Sequence, residues 1–412
     1  MIGGILVIVI TAIIAFAVVN GLKARYPFID DGFLKGLFFY HVVLSIAYYL
    51  YVLFNPSDSK AYYFAAEYAA DWYSLYGTST TFIKFLAYPF VNVLGFSYEA
   101  AMALFAFFGY LGFVYIYILF RESIRFKHTF AGIDLFKLIF YLPNLHFWSG
   151  SLGKGSVIFL GLGLYFFGIN KPAQRWLAIL IGGVIIYHVR AHIMLVVLVS
   201  SLIGFVFSSR GVSPAVRFIF LAASSVAFFF IYRNVLTMVG INEDELITEG
   251  LDLSQRASEL TKATSGVDIT NYSLPMQLFT FLYRPLFFDA SGALGLVVSV
   301  ENVFYLVISF KLLNLRGLRF LLRGNFIVKS AFLSFITVSL ALAQISGNLG
   351  LAMRQKSQVM FLLMFVIICF MDAQRERSGQ PAAPRRRRYA FPQPPAGGTP
   401  PGSIDATIEN QR

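Results

Sequence analysis

The chain has 412 residues, 58% of them hydrophobic and 13% charged. A soluble protein carries roughly a quarter charged residues, so this composition excludes a water-soluble globular domain and describes a polytopic membrane protein. The net charge of +12 does not point to nucleic acid, because most basic residues lie in short connections between apolar runs, where they set topology.

Spanning helices need about 20 apolar residues. That rule places spans at 2–19, 37–54, 98–120, 132–148, 153–170, 176–189, 193–208, 217–239, 290–310, 329–346 and 358–372. The expected fold is therefore an all-α bundle of about eleven transmembrane helices. The first run has no basic n-region and no small-residue cleavage site, and reads as a retained helix rather than a signal peptide. The single cysteine, Cys369, lies in the last run, which leaves no intramolecular disulfide and no cysteine metal site.

Alternate connections carry Lys23, Arg25 and Lys35, then Arg121, Arg125 and Lys127, then Lys171 and Arg175, then Arg210 and Arg217. Lys311, Arg316, Arg319, Arg323, Lys329 and the C-terminal tail complete the series. Short cytoplasmic loops concentrate Lys and Arg, so these connections are expected in the cytoplasm, with the N-terminus outside and the C-terminus inside.

Two connections on the opposite side are long. In the first, 60–76 (KAYYFAAEYAADWYSLY) reads as an interfacial helix, because Tyr and Trp favour the membrane boundary. The following FIKFLAYPFVNVLGF is apolar but too short and broken to span, and reads as re-entrant or flat. The second connection, 241–274, is polar and acidic. It leads into MQLFTFLYRPLFF, a half-span carrying Arg284 and Pro285. Irregular backbone at membrane depth is tolerated only inside protein or along a cavity, so these segments predict a cavity open to the outside. Residues 1–372 form the transmembrane domain. Residues 373–412 read as a disordered tail, basic at 385–388 and Pro-rich beyond, that reinforces topology or touches anionic lipid.

Cations on the outer side define the candidate site. Arg190 lies in GGVIIYHVRAHIMLVVLV between the sixth and seventh spans, with His192 beside it. Lys154 lies in SGSLGKGS, Arg284 begins the half-span, and Arg354 and Lys356 lie between the tenth and eleventh spans. The positive-inside rule keeps such residues out of short outer loops, so they need an anionic partner. Arginine offers a planar fork that matches phosphate oxygens, and lysine a point charge. The glycines around Lys154 let backbone amides approach the same anion at a helix N-terminus.

Each residue also has a plainer reading, Arg190 as a cap on two short helices that snorkels to the lipid headgroups. Lys154 fits a tight turn with a snorkelling side chain, Arg354 and Lys356 fit a solvated loop, and Arg284 fits an ion pair with Asp289. Asp58, in NPSDSKAYY with Tyr62 one turn on, suits a general base or a helix N-cap. Glu67 and Asp71 line the same cavity or a solvated face. Glu301, inside the ninth span, suits an ion pair with Arg233 or a functional role. His188 and His192 lack a third ligand, so no metal site is expected.

LPNLHFWSGSLGKGS, YHVRAHI and GNLGLAMRQKSQ resemble stretches of the bacterial membrane proteins that polymerise or transfer lipid-linked sugars. The nearest in style are the O-antigen and exopolysaccharide repeat-unit polymerases (Wzy-like), within the broad C-type glycosyltransferase-like membrane proteins. Asp58 resembles the acidic residue of the C-type enzymes, but Ser59 follows it and their Asp-Glu pair is missing. The resemblance implies glycosidic bond formation on undecaprenyl-pyrophosphate-linked glycans at the outer face of the cytoplasmic membrane. It implies no nucleotide sugar, no metal and no cofactor. The expected partners are the polyprenyl-linked glycan, membrane lipid and a chain-length regulator or other assembly proteins. Arg190, Arg284 and Arg354, helped by Lys154, would hold the pyrophosphate leaving group and stabilise its charge, and Asp58, or else Glu67, would act on the acceptor hydroxyl. Lys154, His192, Arg284, Lys356, Tyr62 and Glu67 would bind substrate. A single-sugar transferase using a polyprenyl-phosphate donor predicts the same site. A flippase for the same glycans predicts charges through the depth of the bundle and internal repeats.

Overall fold

The computed structural model describes residues 2–208, 213–215, 218–219, 221–226, 228, 267–269, 271–290, 292–344 and 346–379. Most of the expected eighth span with its Arg233, the acidic part of the second long connection, Arg210, Arg217 and the tail from 380 lie outside these residues. Seven helices among the described residues are long and apolar enough to cross a membrane. The expected all-α membrane architecture holds at that level.

The long helices are α1 (Ile2–Arg25), α2 (Asp31–Phe54), α5 (Tyr98–Ser123), α9 (Trp176–Val206), α11 (Gly292–Ser309), α13 (Phe326–Ala343) and α14 (Leu349–Arg377). Shorter ones are α3 (Asp58–Glu67), α4 (Thr80–Tyr88), α6 (Leu135–Phe140), α7 (Pro143–Ser149), α8 (Lys154–Ile169), α10 (Leu274–Tyr283) and α12 (Leu315–Arg323).

α9 is two legs rather than one rod. Arg190 has non-helical angles, φ −153° and ψ 84°. Gly183 and Met194 would stand about 16 Å apart in a continuous helix. Instead the Met194 terminal methyl lies 3.4 Å from the position of a Cβ on Gly183. The chain therefore folds back at Arg190, between the legs expected at 176–189 and 193–208. The first leg packs along α8 and the second reaches α13, where Gly204 meets Ser330.

Small residues let these helices approach closely, as in other membrane bundles. A Cβ on Gly163 would stand 2.8 Å from the Gly112 carbonyl oxygen of α5. On Gly182 it would stand 2.6 Å from the Tyr165 amide nitrogen.

Elsewhere the backbone departs from the expected spans. The stretch 132–148 is not one helix. It begins in a short hairpin, Thr129–Phe130 against Ile133–Asp134, and then forms α6 and α7. Pro143 lacks an N–H and holds Leu142 extended (φ −65°, ψ 124°), which ends one helix and starts the next. The interfacial helix is shorter than 60–76. Ser57 caps it, accepting the Ser59 N–H at 3.2 Å, and it stops at Glu67. Asp71 then accepts the Ser74 N–H at 2.8 Å, a local bond that competes with helix. In the following segment Pro89 has no proton for the Phe85 carbonyl. The Trp72 indole N–H supplies it at 2.8 Å, and the backbone widens into a π turn over Pro89–Val93. The last helix runs to Arg377, five residues past the expected boundary at 372.

One end of the bundle is closed by ion pairs of the basic connections. Glu122, at the end of α5, accepts from Arg175 at 2.9 and 2.6 Å and from Lys171 at 2.6 Å. Arg125 pairs with Glu376 at 2.7 Å, and Asp372 accepts the Arg125 and Phe126 N–H groups at 3.0 and 2.7 Å. Between the ends, His41 and His146 meet through their Nδ1 atoms at 2.9 Å and tie α7 to α2.

Two outcomes test this packing. Gly182→Leu forces backbone apart and is expected to cost about 1–3 kcal/mol, read as a lower melting temperature in detergent. Gly21→Leu, with nothing within 4 Å of its Cβ position, leaves melting unchanged. Glu122→Ala strands two cations and costs about 3–5 kcal/mol, whereas Glu122→Leu combined with Arg175→Met recovers most of it. Equal melting of single and double variants would contradict that account.

Candidate functional site: a cation cluster at the N-terminus of α8

The opposite end of the bundle gathers Asp58 and Tyr62 of α3, Lys154 of α8, Arg190 of α9 and Arg354 of α14. Gly153 is their meeting point. Its backbone is extended (φ 170°) and no side chain caps the helix that follows. A Cβ there would lie 3.9 Å from both Arg354 Nη2 and Tyr62 Cε2. Uncapped amides and the helix dipole add partial positive charge at this point.

Arg354 comes from the first turns of α14, which Asn348 caps by accepting the Leu351 N–H at 3.1 Å. The solvated-loop reading of Arg354 and Lys356 is thereby overturned. The Arg354 guanidinium lies 5.9 Å from the Trp148 ring centroid, and its Nη1 is 3.4 Å from Asp58 Oδ2. The Trp148 indole N–H finds no acceptor among the described residues. Asp58 is the first residue of α3 rather than its cap, a role taken by Ser57. Its side chain is 63% exposed.

Arg190 is 9% exposed. It interacts electrostatically with Arg354, Lys154 and Tyr62, and among the described residues its guanidinium makes no ion pair. Lys154 donates to Ser79 Oγ at 2.9 Å. Ser79 has φ 64°, and its N–H donates to the His188 carbonyl at 2.6 Å. The loop before α4 is thus latched onto the tip of α9. Burial, and next the charge of Asp58, push the Tyr62 phenol up to about 12. It stays protonated at neutral pH and can only donate to an anion.

The other expected site residues stand elsewhere. Arg284 pairs with Asp289 through its Nε, so the ion-pair reading accounts for it. Lys356 is fully buried and donates to the Arg284 carbonyl and Asn302 Oδ1, both at 2.7 Å. It belongs to a structural knot, not to the cluster. Glu67 accepts from Tyr63 at 3.0 Å. It lies nine residues from Asp58, about 13 Å along α3. His192 is exposed just past the α9 break. His188 uses Nδ1 on the Val184 carbonyl and Nε2 on Tyr76, and the break at Arg190 removes its one-turn register with His192. Glu301 accepts the Asn144 N–H at 3.0 Å and the Tyr305 hydroxyl at 2.7 Å.

Sequence reasoning passed over Trp148 and Ser79. Trp148 stood in the quoted FWSGSLGKGS, and an aromatic directly before a glycine run at a helix end was its available signal. Ser79, in a polar TSTT stretch, has no periodic signal.

The chemistry of this arrangement is recognition of an anion with several oxygens: two guanidinium forks, one ammonium and a helix N-terminus, with one carboxylate at the rim. No family model matches the chain, and neither a curated protein nor a solved structure is found similar to it.

Proposed function

We propose that the chain polymerises or transfers polyprenyl-pyrophosphate-linked glycan repeat units on the outer face of the bacterial cytoplasmic membrane. The observation that carries this reading is the convergence of Lys154, Arg190 and Arg354 on the α8 N-terminus, three cations beside one carboxylate. They sit at the end of the bundle away from the basic connections. A diphosphate joining lipid to sugar lies at that depth when its polyprenyl tail runs along the bundle. The same cations would also serve a polyprenyl-phosphate donor that gives up a single sugar.

In the reaction, an acceptor hydroxyl oxygen attacks C1 of the donor sugar. The bond from C1 to the diphosphate oxygen breaks, and its electron pair leaves with the diphosphate. The hydroxyl proton passes to Asp58. Arg190 and Arg354 face the charge that grows on the leaving group, where fixed donors have their largest effect. Turning Arg354 toward the diphosphate takes it from Asp58 and frees the carboxylate for the acceptor. Against a flippase stands the fixed state of the deep charges: Glu301 and Lys356 are each held by two hydrogen bonds.

In a deletion strain, Arg190→Ala, Arg354→Ala and Asp58→Ala are expected to leave single repeat units on lipid, with turnover down about 10²–10³-fold for each arginine. Arg354→Lys keeps the charge, loses the fork and retains partial activity. Sized surface and lipid-linked glycans read the result. Polymer lacking one sugar would replace polymerisation by single transfer, and unchanged glycans at normal protein levels would sink both. Orientation has its own test. A cysteine at Tyr68, which is 78% exposed, is expected to react with an impermeant maleimide in intact cells. A cysteine at Lys127, whose side chain is 70% exposed, should react only after the membrane is opened; the reverse pattern contradicts an outer-face site.

A further inference from the structure

α12 at the basic end has three distinct faces. Gly317 is buried against the preceding turn, where a Cβ would meet the Leu312 carbonyl oxygen at 2.0 Å. Phe320 packs on Phe370 of α14 with centroids 5.4 Å apart. That face fixes the helix to the bundle. A second face carries Leu315, Leu318 and Leu322, which are 72%, 53% and 68% exposed. Leu313, just before the helix, is also 72% exposed. A third face carries Arg316, Arg319 and Arg323, all exposed.

At 3.6 residues per turn the leucines fall within an arc of about 60°, the arginines within another of about 60°, and the two are centred about 100° apart. A helix lying in the boundary of a bilayer needs this arrangement, with apolar side chains down among the acyl chains and basic ones at the waterline. No Asp or Glu occurs anywhere from 302 to 371, and among the described residues no carboxylate pairs with these arginines. Neighbouring Lys311 and Lys329 add to the same charge.

We propose that α12 lies in the membrane boundary and that its arginine row holds the phosphate groups of anionic phospholipids. Exposed leucines on a helix already anchored to the bundle call for acyl chains, and an unpaired row of forks beside them calls for phosphate at headgroup level. The inference stands apart from the reading of the α8 site.

The test uses the full-length protein in nanodiscs of phosphatidylcholine alone or with one-third phosphatidylglycerol. An environment-sensitive fluorophore is placed on Leu318→Cys, with unsubstituted protein as the control for the buried Cys369. The probe is expected to report an acyl environment, and phosphatidylglycerol to be enriched around the protein. The affinity for phosphatidylglycerol relative to phosphatidylcholine should fall about fivefold for each arginine removed in Arg316→Gln, Arg319→Gln and Arg323→Gln, with melting unchanged. A probe that stays in water in both discs overturns the proposal. So does equal enrichment around wild type and the triple variant, or enrichment abolished by inorganic phosphate, which would mark a free-anion site instead.

Discussion

A charge taken out of water must be compensated where it sits, and most of this structure follows from how that requirement is met. Replacing water around a buried ion demands a partner of opposite sign or several aligned dipoles. Arg175 and Lys171 have Glu122, and Arg284 has Asp289. Lys356 has a carbonyl and an amide oxygen. At the α8 N-terminus the compensation among the described residues is incomplete: Lys154 donates to a hydroxyl, Arg354 shares one exposed carboxylate, and Arg190 faces other cations. The helix dipole there has the same sign as the side chains. The bundle thus concentrates uncompensated positive charge at one point.

The break in α9 is what makes the cluster possible. A continuous helix would carry Arg190 along a lipid-facing or packed surface at arbitrary depth. Folding the chain back at that residue places it at a tip, next to the loop that holds Ser79 and the start of α8. This much was legible in the sequence, because an arginine between two short apolar runs marks either a reversal or an intramembrane charge, and here it marks a reversal. The position of Lys154 was legible for a similar reason, since glycines on both sides of a lysine ahead of an apolar run announce a helix start.

Other features were hidden because they depend on contacts distant in sequence. Lys356 and Arg354 look alike in GNLGLAMRQKSQ, yet two residues along a helix differ by about 200° in direction. One therefore points into the bundle and the other toward the cluster. Arg284 and Asp289 are close in sequence, and their pairing was one of two readings that only geometry could separate. The His41–His146 contact joins residues 105 apart with no local pattern. The expected span at 132–148 failed because Pro143 starts a new helix, whereas FIKFLAYPFVNVLGF is broken as expected, at Pro89, where the Trp72 side chain supplies the Phe85 carbonyl.

The cluster is held by parts that move little and closed by one contact that is easily broken. Asn144 of α7 donates to the Met353 carbonyl at 3.0 Å, one residue before Arg354, and Lys356 is anchored two residues after it. The backbone under Arg354 is therefore pinned on both sides. Its side chain is not, because an ion pair with a carboxylate as exposed as Asp58 is worth about 0–1 kcal/mol. An incoming anion with several oxygens offers the guanidinium a stronger, bidentate partner. The exchange needs only a side-chain rotation. It leaves Asp58 unpaired at the moment the anion arrives, so occupancy of the site and release of its carboxylate become one event.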